Sequence, residues 1–221
     1  MKIIITGATG LIGAATVREA IADDAITEVV LLVRSQPQFQ HPKIITVLHN
    51  DFLDYQNLST YFSNAHALIW CLGISQTQVS KKQYEIITHD YVAACASFCL
   101  QVNPAIRFVF VSGDGADRSE QSSTLFKRVK GRAENSLLQC GLTNIIIARP
   151  DAVNPRQKNP QAPFLYKLAY PFFPLVERFA PHKIIWSDVL AKALLQLAKD
   201  GNEKNTLENI ELRALGASMN R

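Results

Sequence analysis

Neither sign of charge is in large excess in this sequence of 221 residues. There are 23 Lys and Arg against 19 Asp and Glu, which gives a formal net charge of +4, and the basic residues are scattered along the chain. One basic cluster stands out and falls on a predicted helix, where a solvated face explains it: Lys127, Arg128, Lys130 and Arg132. A nucleic-acid site would gather its basic residues on one surface, so we expect no nucleic-acid partner.

Cysteine is scarce, and its spacing excludes the common metal sites. The four cysteines form no CxxC pair and have no cluster of histidines near them in the sequence: Cys71, Cys95, Cys99 and Cys140. Zinc sites and disulfide frameworks have recognisable spacings, so we expect no metal and no disulfide framework. Cys95 and Cys99 lie four apart in an apolar helical stretch, which favours buried free thiols.

Long apolar runs are also missing. No run reaches the roughly 18 apolar residues that a spanning helix needs, and no charged segment, apolar segment and cleavage site precede the first strand-like run. We therefore expect no membrane span, no secretory leader and a reducing, cytoplasmic setting.

Short apolar runs instead alternate with longer amphipathic stretches. The runs predict buried strands at Ile3–Ile5, Val29–Val33, Ile44–Leu48, Ala67–Cys71, Phe108–Val111 and Ile145–Ala148. The stretches predict helices at Leu11–Ala22, Asp54–Phe62, Lys81–Gln101, Ser122–Gln139 and Ser187–Lys199, the last with Ser187 as its N-cap. This alternation predicts an α/β fold with a doubly wound, mostly parallel, Rossmann-like sheet and helices on both faces.

Three glycines spaced three residues apart follow the first predicted strand. Gly7 suits the backbone angles of a tight turn, Gly10 lets the backbone approach a pyrophosphate, and Gly13 lets the helix pack on the strand. The helix N-terminus beyond them presents unpaired N–H groups to phosphates. We therefore predict a dinucleotide site whose first part is Gly7, Thr9, Gly10, Leu11, Ile12 and Gly13.

Arg34 follows the second predicted strand, where NAD sites usually carry an Asp or Glu for the ribose 2′-hydroxyl. A guanidinium suits a 2′-phosphate instead and can stack on adenine, so we predict NADP(H) as the cofactor. The ends of the third and fourth predicted strands extend the cofactor site to Asp51, Phe52, Cys71, Leu72 and Gly73. A capping Asp beside a core Phe explains the first two of these residues equally well.

Taken in order, several motifs resemble the atypical short-chain dehydrogenases/reductases, and most closely the Tat-interacting-protein-like oxidoreductases. They are TGATGLIG, NDF, CLG, HDY at His89–Tyr91, SGDGAD at Ser112–Asp117, VKGRAE at Val129–Glu134 and RPD at Arg149–Asp151. The resemblance implies an NADP-binding domain whose chemistry comes from a Ser, a Tyr and a Lys. It assigns Ser112 and Lys130 to catalysis, and Lys130, Arg149 and Pro150 to the cofactor.

The chain departs from this family at the proton donor. The family places its Tyr and Lys as YxxxK on one helix face, and here Lys130 matches while Phe126 occupies the tyrosine position. Phenylalanine has no proton to transfer, so the sequence alone predicts that Phe126→Tyr would restore a donor. Other residues that carry a proton, none of which is a strong replacement, are Tyr84, Tyr91, Tyr166, Tyr170 and His182.

We expect one NAD(P)-binding domain over residues 1–221, with 151–186 as a substrate-side insertion or lid. The aromatic stretch Phe164–Phe179 within it would line a pocket, cover the nicotinamide, form a dimer surface or lie on a membrane interface. The tail Asn205–Leu215 would add a short strand or helix at the sheet edge.

Two classes of function fit these features. The first is an NADP(H)-dependent oxidoreductase that passes hydride to a small organic acceptor, with a small-molecule substrate and, as one arrangement, a homodimer. The second is a non-catalytic NADP(H)-binding redox sensor or interaction protein. A nucleotide-sugar epimerase or dehydratase is disfavoured, because that chemistry needs the missing Tyr.

Overall fold

The computed structural model describes residues 1–156 and 183–218. The strands in these residues are β1 (Lys2–Thr6), β2 (Glu28–Val33), β3 (Ile44–Leu48), β4 (Ala67–Trp70), β5 (Arg107–Val111), β6 (Ile145–Arg149), β7 (Ala152–Asn154), β8 (Ile184–Trp186) and β9 (Thr206–Glu208). The helices are α1 (Leu11–Ala22), α2 (Ser59–Phe62), α3 (Lys81–Glu85), α4 (Tyr91–Val102), α5 (Leu125–Gln139), α6 (Ser187–Asp200) and α7 (Asn209–Ser218).

The main sheet has the strand order β3-β2-β1-β4-β5-β6-β9, and every neighbouring pair is parallel. The order reverses between β1 and β4, which places a crevice at the carboxyl ends of these two strands. Strands β7 and β8 form a separate parallel pair beside the sheet. The predicted doubly wound, Rossmann-like fold is confirmed.

Two hydrophobic cores lie on opposite faces of the sheet, because successive side chains of a strand alternate between its faces. Ile3 and Ile5 belong to the core beneath α1, α6 and α7, whereas Ile4 belongs to the core beneath α2, α4 and α5. All three side chains are fully buried. Burial on both faces explains why β1, β2, β4, β5 and β6 appear in the sequence as continuous apolar runs. The prediction of a buried strand at Ile44–Leu48 was wrong in its burial, because β3 is an edge strand and none of its residues is buried.

Two predicted helices differ from the structure in their regularity. The predicted helix Asp54–Phe62 is a 3₁₀ turn, Gln56–Leu58, followed by the four residues of α2. The predicted helix Lys81–Gln101 is divided into α3 and α4 by a π-helical turn, Ile86–Asp90. A π turn inserts one residue into an otherwise helical pattern, and apolar periodicity alone does not reveal it.

Two predicted helix starts were wrong, and each error has a local cause. Helix α5 begins at Leu125 rather than Ser122, because the Asp117 carboxylate accepts the N–H groups of Gln121 and Ser122 and holds them in a turn. Ser187 is the first residue of α6 rather than its N-cap, which is Trp186. The Ser187 hydroxyl accepts the N–H of Arg156 instead.

The C-terminal prediction is confirmed in the described residues, where the tail forms both β9 and α7. Residues 157–182 lie outside the described ranges, so Phe164–Phe179, Tyr166, Tyr170 and His182 are not placed, and the lid remains a prediction. All four cysteines are free thiols, and Cys95 and Cys99 are buried. None of the described helices is long and apolar enough to cross a membrane.

Candidate nucleotide-binding site

The loop between β1 and α1 forms one wall of the crevice. Gly7 has a φ of +67°, a conformation that other residues rarely adopt, and its carbonyl accepts the N–H of Gly10 at 2.9 Å. Gly10 is the N-cap of α1, and it supplies no side chain to bond the first N–H groups of the helix. The first turn also holds no acidic residue. The positive end of α1 is therefore left for an anion to satisfy.

Close backbone packing fixes this loop in place. A Cβ atom on Gly7 would lie 2.6 Å from the carbonyl oxygen of Cys71, and one on Gly13 would lie 2.2 Å from the carbonyl oxygen of Gly7. Side chains at these two positions are excluded by backbone. A Cβ on Gly10 would meet one atom within 4 Å, the Gly7 oxygen at 3.3 Å, so the space above Gly10 is open.

A cavity of about 180 Å³ lies over this loop and between the ends of β2 and β4. It is lined by Gly7, Thr9, Gly10, Leu32, Val33, Arg34, Ser35, Phe52, Cys71, Leu72 and Gly73. Eight of these eleven are residues that the sequence predicts for cofactor binding. The ends of three strands and the glycine loop thus converge on one space, the crevice where open α/β sheets bind their ligands.

Arg34 and Ser35 are exposed where β2 ends, and Phe52 is fully buried below the cavity. The ring of Phe52 stacks on Tyr91 at 5.6 Å, so Tyr91 is a packing residue. Asp51 does not line the cavity, and its carboxylate accepts the N–H of Leu53 at 2.9 Å. Of the two predicted adenine contacts, therefore, only Phe52 reaches this space.

Lys130 lies beside the end of β5. Its ammonium donates to the Val111 carbonyl at 2.9 Å and lies 4.8 Å from the centre of the Phe110 ring. Desolvation by burial lowers its pKa to about 8, although the negative charge of Glu134 opposes this shift. The sequence predicts a solvated face for the whole basic cluster. Lys127 is exposed, as predicted, whereas Lys130 is not.

Cys71 lines the cavity and lies close enough to Lys130 to feel its charge. Burial raises the pKa of its thiol to about 12, although the Lys130 charge and a Thr16 hydrogen bond oppose the shift. A thiol with so high a pKa is a poor nucleophile, so Cys71 is part of the wall.

Glu134 is fully buried and is the polar centre of the site. The sequence alone predicts no role for this residue. One carboxylate oxygen accepts the Ser112 hydroxyl at 2.5 Å and Nε of Arg149 at 2.8 Å. The other accepts Nε of Arg118 at 2.7 Å and a second bond from Arg149. The available signal was the i, i+4 spacing from Lys130, which puts both residues on one helix face.

This cluster determines what two predicted site residues do. The Ser112 hydroxyl donates its hydrogen bond to Glu134, so it cannot at the same time donate to a substrate carbonyl. Arg149 is also held by Glu208 at 3.1 Å, and the hydrogen bond to Glu134 raises the Arg149 pKa. In the described residues both side chains have structural partners, and their predicted roles in catalysis and cofactor binding remain predictions.

The remaining predicted site residues lie beside the cavity. Leu11 and Ile12 begin α1, and Ile12 packs against the first core. The Pro150 carbonyl accepts the N–H of Asp114 at 3.0 Å. Among the described residues, no group of three His, Cys, Asp or Glu side chains is placed to hold a metal ion.

Comparison with known proteins adds a family model. A model described as NAD(P)H-binding matches residues 7–162, more than half of the chain. The match begins at Gly7 and includes the glycine loop, Arg34, the end of β4 and α5. Its residues contribute all of the cavity described above.

Two curated relatives and one solved structure illustrate the similarity. Protein HTATIP2 of Rattus norvegicus is 24% identical over 152 residues, which are 67% of this chain and 61% of that protein. The mitochondrial protein FMP52 of Candida albicans is 28% identical over 162 residues, 69% of this chain and 67% of that protein. Gre2 of Candida albicans, solved in complex with NADPH, has a TM-score of 0.72 at 13% identity, over 94% of this chain and 77% of that one.

These similarities differ in what they establish. The first two confirm the predicted resemblance to atypical short-chain dehydrogenases/reductases, and the third shows the shared fold. The aligned regions span between about half and two thirds of the curated relatives' own lengths.

The contrast between Gly10 and Gly13 gives a first prediction. Gly10→Val should abolish NADPH binding without unfolding the protein, because Gly10 has extended backbone angles and its side chain would enter the open space above the loop. Gly13→Ala should instead destabilise the fold, because its Cβ would overlap the Gly7 carbonyl. Calorimetric NADPH titration and thermal unfolding of both variants test this. Unchanged NADPH affinity in folded Gly10→Val would contradict it.

The buried carboxylate gives a second prediction. Glu134→Gln should lower the free energy of unfolding by roughly 3–5 kcal/mol, because two guanidinium groups lose their buried counter-charge. Glu85→Gln is the matched control on the surface, where the carboxylate lies 3.8 Å from Arg132. Urea unfolding of the two variants measures the difference, and similar small losses would show that Glu134 does not hold the site together.

Proposed function

The chain belongs to the NAD(P)H-binding family, and from this premise we propose that it is an NADPH-dependent oxidoreductase that passes hydride to a small organic acceptor. The cavity carries the proposal, because it joins the phosphate-binding loop, Arg34 and the ends of β2 and β4 in one space beside Lys130. When bound, the reduced nicotinamide would supply two electrons and a proton as hydride.

The glycine loop fits the dinucleotide. Its N–H groups at the start of α1 have no capping side chain, and the space above Gly10 is large enough for a phosphate to approach the backbone. The loop and the helix end would therefore bind the pyrophosphate. Cys71, Leu72 and Gly73 would form the opposite wall, where a Cβ on Gly73 would meet nothing within 4 Å.

A preference for NADP(H) over NAD(H) is the finer part of the proposal. Arg34 and Ser35 are exposed on the cavity rim and offer a guanidinium and a hydroxyl as donors. A 2′-phosphate accepts such bonds strongly, whereas a 2′-hydroxyl would gain little from a neighbouring positive charge. The NADPH bound to Gre2 is consistent with this preference in a protein of the same fold.

Lys130 would hold the ribose next to the nicotinamide. Among the described residues its one hydrogen-bond acceptor is the Val111 carbonyl, so the ammonium has donors left for ribose hydroxyls. Its positive charge would also attract the anionic cofactor. Its role is therefore binding and orientation, because Phe126 offers no phenol whose pKa Lys130 would lower.

A non-catalytic NADP(H) sensor is the second candidate, and a specific observation favours it. Phe126 replaces the phenol, and the proton of Ser112 is committed to Glu134, so two groups of the usual proton-transfer apparatus are absent or engaged. Such a protein would act through a difference in affinity between the two cofactor forms. Epimerase or dehydratase chemistry has less support for the same reason.

We propose a small-molecule substrate and a cytoplasmic setting, and a homodimer remains an expectation. Four free thiols suit a reducing compartment. FMP52 is named as a mitochondrial protein, so a mitochondrial location is the alternative. Imaging of the native chain with a C-terminal tag, together with cell fractionation, separates these two locations.

The cofactor preference is tested at Arg34. Arg34→Asp should weaken NADPH binding by roughly 1.5–3 kcal/mol and remove or invert the preference over NADH, because an acid favours the 2′-hydroxyl and repels the phosphate. Calorimetry with NADPH, NADP⁺, NADH and NAD⁺ measures the effect. Arg18→Asp, on α1, is the matched control of equal charge change. Equal affinities for NADPH and NADH in the native protein would contradict the preference.

The low pKa of Lys130 predicts how binding depends on pH. The ammonium is charged below pH about 8 and neutral above it, so NADPH affinity should fall as pH rises beyond about 8. Lys130→Met should bind more weakly and lose this fall, and Lys127→Met on the same helix should retain it. Calorimetric titrations across this range provide the test, and a parallel fall in Lys130→Met would assign the dependence to another group.

A further inference from the structure

The ring of Phe126 packs end-on against Gly113, directly after Ser112 at the end of β5. A Cβ atom on Gly113 would lie 2.5 Å from Cζ of Phe126, and 3.4 and 3.5 Å from its two Cε atoms. The nearly equal Cε distances show that the para carbon of the ring points at Gly113. The φ of Gly113 is not positive, so the ring rather than the backbone conformation excludes a side chain at this position.

A phenol does not fit in this arrangement. The hydroxyl of a tyrosine is attached to Cζ and would extend beyond it toward Gly113, where even a methyl group is excluded. The single substitution Phe126→Tyr would therefore not place a proton donor over the substrate. The structure therefore changes the expectation from the sequence alone.

Backbone contacts hold α5 against the loop that follows β5. A Cβ on Gly131 would lie 1.8 Å from the Asp117 carbonyl, so α5 is packed directly on the loop that follows β5. The Asp117 N–H also donates to the Lys127 carbonyl at 2.9 Å. At the start of the helix, the Phe126 N–H donates to the Gln76 side chain at 3.0 Å. These contacts fix the backbone of Phe126 relative to the loop that carries Gly113.

We propose that Phe126 and Gly113 are a matched pair that closes the phenol position and so selects planar conjugated acceptors, of the quinone and flavin type, over aldehydes and ketones. This inference rests on the proposed hydride-transfer function. It goes further by naming the acceptor class and the two residues that determine it.

The chemical reason is the fate of the negative charge. Hydride transfer to an aldehyde leaves a localised alkoxide, a strong base that needs a positioned proton donor. A quinone that accepts hydride from NADPH becomes a delocalised hydroquinone anion, which takes its second proton from water. The balance is quinone, NADPH and one proton giving hydroquinone and NADP⁺, and no protein phenol takes part.

The pairing itself is tested without cofactor or turnover, by urea unfolding of Gly113→Ala, Phe126→Ala and the double variant. Gly113→Ala should raise the unfolding equilibrium constant at least about tenfold when the Phe126 ring is present. In the Phe126→Ala background the same change should have an effect of less than about threefold, because the clash is gone. Equal effects in the two backgrounds would overturn the matched pair.

The acceptor class is tested by NADPH oxidation with a naphthoquinone, FMN, an aromatic aldehyde and a ketone. The native protein should reduce the first two at least about tenfold faster than the last two, since a positioned acid or base contributes 10²–10⁴-fold to reactions that need it. Phe126→Tyr should not raise aldehyde reduction.

The outcomes separate this inference from the function beneath it. Aldehyde reduction that is as fast as quinone reduction, or that rises about tenfold or more in Phe126→Tyr alone, would overturn the inference and leave hydride transfer intact. NADPH binding without turnover of any acceptor would overturn the proposed oxidoreductase and support the sensor. If Gly113→Ala does not fold, the acceptor panel and the Phe126→Tyr assay decide.

Discussion

The carboxyl edge of the sheet depends on one buried carboxylate. Glu134 has no solvent contact, so hydrogen bonds from Ser112, Arg118 and Arg149 must replace its hydration. These bonds join α5 to the ends of β5 and β6, and Arg149 and Arg118 extend the connection to Glu208 and Thr206 on β9. The orientation of α5 follows from this node. Since α5 carries both Lys130 and Phe126, the node also holds these two residues beside the end of β5.

Much of the fold could be predicted from the sequence, because its signals are local. Strands β1, β2, β4, β5 and β6 are apolar runs that contribute buried residues to both cores, so a few consecutive residues indicate their burial. The glycine loop is equally local, since Gly7, Gly10 and Gly13 carry their packing constraints within one turn. The features that the sequence did not reveal depend on contacts between separate parts of the chain. The Asp117 carboxylate accepts the Ser122 N–H and delays the start of α5, and the Ser187 hydroxyl accepts the N–H of Arg156 instead of capping α6.

The site residues also fall into two groups, those that local sequence signals reveal and those that only the folded chain brings together. Arg34 and Gly73 follow predicted strands, so the rule that ligands bind at carboxyl strand ends places them at one cavity. Glu134 could not be assigned, because its partners Arg118 and Arg149 lie 16 and 15 residues away and only the folded chain brings them to it. Lys130 belongs to a basic cluster typical of a solvated helix face. Its burial beside Phe110 depends on how α5 rotates against the sheet, which composition does not encode.

The contact between Phe126 and Gly113 also bears on the history of the chain. Each residue obstructs the replacement of the other: a side chain at 113 strikes the ring, and a hydroxyl on the ring strikes the backbone at 113. A lineage that holds both would have to pass through a less stable or inactive intermediate to recover the tyrosine. The pair therefore acts as an evolutionary ratchet: Gly113 already lacks a side chain, so the phenol can return only if the ring or the backbone at residue 113 also shifts.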